Sequence, residues 1–120
     1  MAAPNIVSVG TITGKTAVQA IGTSATAIVT NSAASGKVFK VNTLLIANVD
    51  GSAAASVTVD LYRSSTAYHL VKTVQVFADS TLDVLNKSIY LEEGDSLRLT
   101  ASAASDLEGI CSYEEISELA

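Results

Sequence analysis

The chain has 120 residues, a formal net charge of −5, and 48% hydrophobic residues of which few are aromatic; this suits one tight core of small side chains and is too little for two. Charged residues are only 16%, against about 25% in an average domain, and the basic ones (Lys15, Lys37, Lys40, Arg63, Lys72, Lys87 and Arg98) form no stripe or patch. Neutralising phosphates needs clustered Lys and Arg, so nucleic acid is excluded as a direct partner, and an anionic membrane surface is disfavoured for the same reason.

The opening MAAPNIVSVG lacks the basic start and long apolar run of a signal peptide. No stretch approaches the roughly 18 apolar residues of a membrane span. These features predict a soluble product made in the cytosol. Three β-prone runs follow, from Ile6 to Thr13, Thr16 to Ile21 and Ala25 to Thr30. Between Thr11 and Gly36 the only charge is Lys15, and the remainder is rich in Ala, Ser and Thr. Small residues pack poorly as an isolated core but well against a neighbour. Residues 1–36 are therefore expected to form a β-hairpin or an interface arm, and residues 37–120 the core of a single domain.

From Lys37 the chain reads KVFKVNTLLIANVDG, alternating at first and then continuously apolar at Leu44, Leu45 and Ile46. This is the pattern of a strand buried on one or both faces. Asn48, Asp50 and Gly51 favour a turn, and ASVTVDLYR then alternates with Val57, Val59 and Leu61 on one face. Together they predict a hairpin looped at DGSAA. The segment from Ala67 to Ala78 is strand-like, and STLDVLNK, SIYLEEGD and DSLRLTASA continue the pattern. The segment from Leu107 to Ser117 is a last strand; only YEEISELA could add a turn of helix. Eight to ten short strands predict an all-β fold, an antiparallel β-sandwich of which the jelly roll is one form.

No catalytic, cofactor-binding or metal-binding residue emerges. GDSL at Gly94 to Leu97 matches an esterase nucleophile block, with Ser96 as the nucleophile. That chemistry needs a histidine base downstream, oriented by an Asp. The one histidine, His69, lies upstream within a predicted strand, so GDSL reads as a β-turn entering a strand. Glu92, Glu93 and Asp95 lack the spacing of a calcium loop and read as a solvated turn, and Glu114, Glu115 and Glu118 as a solvated acidic end. Cys111, the single cysteine, permits no intramolecular disulfide and reads as a small buried hydrophobe. GTITGK lacks P-loop spacing. Phe39, Tyr62, Tyr68, Phe77, Tyr90 and Tyr113 do not cluster in sequence.

From Leu44 to Ser117 the succession "IANVDG", "VTVDLY", "ADSTL", "YLEEGDSLRL" and "SYEEIS" resembles small virion structural proteins of tailed bacteriophages, of the marine and cyanobacterial phage type. The resemblance implies a β-domain on the capsid, neck or tail. The function expected is a non-enzymatic capsid decoration (cement) protein of the virion, without cofactors. Its partners would be other copies of itself, as a homotrimer, and the major capsid protein or other virion proteins. A neck, tail or fibre-attachment component and a glycan-binding module on the virion surface are the alternatives.

Overall fold

The structure, a computed structural model, describes residues 4–118. Those residues form nine strands: β1 (Val9–Ala20), β2 (Thr26–Thr30), β3 (Lys37–Asn48), β4 (Ala55–Arg63), β5 (Thr66–Val76), β6 (Thr81–Asp83), β7 (Ile89–Leu91), β8 (Ser96–Ala101) and β9 (Leu107–Glu118). One sheet runs β1-β9-β3-β6 with β7 also on β3, and the other runs β2-β8-β4-β5. Every pairing is antiparallel. Two sheets face to face in this order make a jelly roll, in which β6 and β7 share one strand position. The molecule measures 52 × 26 × 20 Å, because β1, β3 and β9 have 12 residues each while β2 and β8 have 5 and 6.

Between the sheets lie Val41, Leu44, Ile46, Val57, Val59, Leu91, Leu97, Leu99 and Cys111, all fully buried. Period two supplies most of them: Val57 and Val59 on β4, Leu97 and Leu99 on β8, Leu107 and Cys111 on β9. The irregular run in β3 has a specific cause. A register shift between Val41 and Thr43 moves the inward set from Phe39 and Val41 to Leu44 and Ile46. Val38 and Ile116, paired on the outer face, are also buried. Buried Pro4 and exposed Ile6 line a surface pocket with Val38, and the Asn5 N–H donates to Glu118 Oε2 at 3.1 Å.

Four expectations need correction. The hairpin looped at DGSAA is absent: β3 and β4 lie in different sheets, and this connection crosses between them. The tight hairpin is β4–β5, turned by Ser64 and Ser65 with φ of 51° and 61°, the signature of a type I′ turn. Residues 1–36 are no hairpin, because β1 and β2 also join different sheets. Their three β-prone runs become two strands. Tyr113–Glu118 continues β9 in place of a helical turn; residues 119–120 lie outside the described residues.

Candidate assembly surface

Gly94, at φ +88°, turns the chain into β8, so GDSL is a strand entry. Ser96 on β8 stands opposite Tyr62 on β4, and His69 on β5 stands opposite Asp60 on β4. A whole strand therefore separates Ser96 from His69, and the fold does not bring them together as nucleophile and base. His69 is exposed beside Asp60 on the outer face. Among the described residues no group of three or more His, Cys, Asp or Glu is placed to hold a metal ion.

The polar residues that the fold does gather act as fasteners. Asp95 is 1% exposed, which corrects the expected solvated turn. Arg63 Nε donates to its Oδ1 at 2.8 Å, Arg63 Nη2 to its Oδ2, and the Glu92 N–H to Oδ2 at 2.8 Å. Burial pushes the Asp95 carboxyl upward, but the Arg63 hydrogen bonds, the Glu92 N–H and the guanidinium charge together hold it below the usual carboxylate range. Glu93 Oε2 accepts the Gly36 N–H at 2.8 Å.

Asp60, 3% exposed, is gripped by Arg98 through Nε at 2.9 Å and Nη2 at 3.3 Å. The Arg98 guanidinium lies 3.9 Å above the Tyr62 ring. Asn31 Nδ2 donates to the carbonyls of Lys37 and Leu91, both at 2.9 Å, and Asn48 Nδ2 to those of Ala53 and Val76, both at 2.9 Å. Each buried amide thereby ties a sheet-crossing loop to the opposite side of the sandwich. Glu115, read from sequence as solvated, accepts from Lys15 at 2.9 Å and Lys37 at 3.0 Å. Cys111 is fully buried, and that burial pushes its thiol up to about 11.

What remains open is a sheet edge. β1 pairs with β9 on one side only and ends the sheet. Its register is unbroken from Thr11 to Ala20, and most of its residues are exposed. Lys15 is its single charged residue. Natural edges are usually blunted by shortness, bulges, proline or free charge. Each of the other edges is blunted so: β2 has 5 residues, β6 and β7 have 3 each, and β5 is irregular, with register shifts against β4 and Thr73 at φ 53°. On the outer face beside this edge, Val18 is 73% exposed, Ile12 54% and Ile110 41%, and Val18 and Ile110 line a shallow groove. The Ala/Ser/Thr-rich composition of residues 1–36 had pointed to an interface arm or a hairpin, but that β1 is the open edge was not legible there, because being an edge depends on which strands pair elsewhere.

The exposed large aromatics do not form a platform: Tyr68 belongs to β5 of one sheet, Tyr90 to β7 of the other, and Phe77 to the β5–β6 connection. No family model matches the chain, and no curated protein does. Among solved structures, it is similar to a Bacillus protein described as endospore appendages that "form a novel family of disulfide-linked pili", at 17% identity and a TM-score of 0.53, over 91% of this chain and 90% of that one. At that identity the likeness shows the all-β fold, shared across nearly the full length of both chains.

Proposed function

We propose that this protein is a structural subunit without catalytic activity, working in many copies, and that its place is the surface of a phage head as a decoration protein. The observation that carries the structural reading is the open β1 edge: a long, regular strand whose outward N–H and C=O groups have no partner within the described residues. An exposed edge of this kind is a template for another chain. The low charge and the Ala/Ser/Thr-rich first third support the same reading, since such surface loses little on being covered. Fold alone does not give function, and the assignment to a virion rests on the sequence resemblance of residues 44–117. On a head, each contact is modest, and many copies tethered to one lattice multiply it.

A second reading, a fibre, neck or tail component, is favoured by the likeness to a pilus protein. In this chain the one cysteine is buried, so a fibre of it would be held without disulfides. The mass in solution by light scattering, followed by titration onto empty phage heads, tests both. Saturable binding at symmetry-related head sites is the expected result. A closed ring or open polymer that ignores heads would favour the second reading, and a monomer that binds no particle would defeat both. An esterase activity lost on Ser96→Ala would overturn the non-catalytic assignment.

A further inference from the structure

The unoccupied edge has an internal geometry that selects its partner. The Ile21 N–H donates to the Leu107 carbonyl at 2.9 Å, one step beyond the Ala20–Glu108 pair of the same register. Antiparallel pairs alternate between hydrogen-bonded and non-bonded. Thr11, Thr13, Lys15, Ala17 and Gln19 therefore direct their backbone groups to β9. Ile12, Gly14, Thr16, Val18 and Ala20 direct theirs to the free edge. The side chains of this second set lie on the outer face, since Val18 pairs with exposed Ile110 whereas Ala17 pairs with buried Cys111.

We infer that the free edge of β1 pairs antiparallel with β1 of a second copy, about a two-fold axis through Thr16. This rests on the self-assembling reading above and names its contact. In this register Thr16 faces Thr16 of the second copy, Gly14 faces its Val18, and Ile12 faces its Ala20. Large residues thus meet small ones. Val18 also lies diagonal to Ile12 of the other copy, within reach for an apolar cross-strand contact, so the two most exposed apolar side chains of the strand cover each other. Five facing pairs exchanging two bonds each give about ten N–H···O bonds.

Three observations favour a second copy over any other strand. β1 is the only long edge among the described residues with an unbroken register, so its equal in length and regularity is another β1. The chain carries −5 overall, yet β1 itself holds none of its acids, so no two acids face each other across the seam. Lys15, the one charge, is bonded to Glu115 at 2.9 Å and in this register faces Ala17 of the other copy. Moving the axis by one residue, a slip of two between the strands, would bring Lys15 against Lys15, which is unfavourable. The pairing joins the two larger sheets into one and yields dimers or even multiples, in place of the trimer expected from sequence.

The test uses the whole protein and four substitutions. Thr16→Pro removes an N–H that faces the free edge, and Val18→Lys puts a charge on a side chain already exposed; neither breaks a bond to β9. Both are expected to keep the circular dichroism of the parent and weaken self-association about a hundredfold. Thr16→Cys is expected to form a disulfide-linked dimer on mild oxidation, because facing Cα atoms of such a pair lie about 5.5 Å apart. Ala20→Cys, far from its own symmetry mate, is expected not to. If the parent associates but neither Thr16→Pro nor Val18→Lys alters its mass, or Ala20→Cys links as readily as Thr16→Cys, the β1 pairing is wrong and self-assembly stands by another surface. A parent that is monomeric both in solution and on particles overturns the pairing and the functional reading together.

Discussion

Single side chains decide how the loops of this sandwich are held. Asn31 and Asn48, 0% and 3% exposed, each donate both amide hydrogens to main-chain carbonyls from separate elements. Leaving a buried polar group unpaired costs about 1–3 kcal/mol. Asn31→Ala and Asn48→Ala are accordingly expected to lose about 2–3 kcal/mol each in urea unfolding. Asn→Asp at either site is expected to be no better, since a carboxylate cannot donate to those carbonyls. Arg98→Ala would strand the Asp60 carboxylate on a part-covered surface, at a cost of about 2–3 kcal/mol; Asp60→Asn with Arg98→Met should recover part of it. Of these residues only Asn48 stood out in the sequence, as a turn former. A buried asparagine and a loop asparagine have the same local neighbours, and the partners that distinguish them lie as much as 60 residues away.

At the scale of elements, the sequence was readable wherever alternation was clean. β4, β8 and β9 show inward faces that match their period-two pattern, because each has one face on the core and one on solvent. Connections were harder. DGSAA has hairpin composition, yet it crosses between sheets: Asp50 Oδ1 accepts the N–H groups of Ser52 and Ala53, and Asn48 anchors the loop's far end. Which sheet a strand joins is a long-range property that composition does not carry. The true hairpin has Ser-Ser at its tip, two residues in the left-handed region where L side chains are strained. Ser64→Asn with Ser65→Gly, the pair such a turn prefers, is expected to stabilise the protein by about 1 kcal/mol, read as a rise in Tm.

For the whole molecule, the acid groups set the pH range. Asp95 and Glu115 are both buried enough to be pushed upward, and both are held lower by their cationic partners. Their folded values lie below their unfolded ones, so they stabilise fully above about pH 4 and lose that contribution as pH falls through the folded values. Unfolding midpoints measured from pH 6 to pH 2 should drop steeply below about 4, and Asp95→Asn should flatten the drop while costing stability at neutral pH. Any multi-copy state should be indifferent to reductant, because Cys111 is buried with its thiol raised to about 11; thiol reagents should label it only after unfolding. Val9 lies opposite Glu118, and the Asn5 N–H donates to Glu118 Oε2, so the two ends of the described chain leave from the same pole. A short linker could join them, and new ends opened in the exposed DGSAA loop would give a circular permutant with the same two sheets. A cargo fused to the present ends would project from one pole; fused to the permutant's ends, it would project from the other.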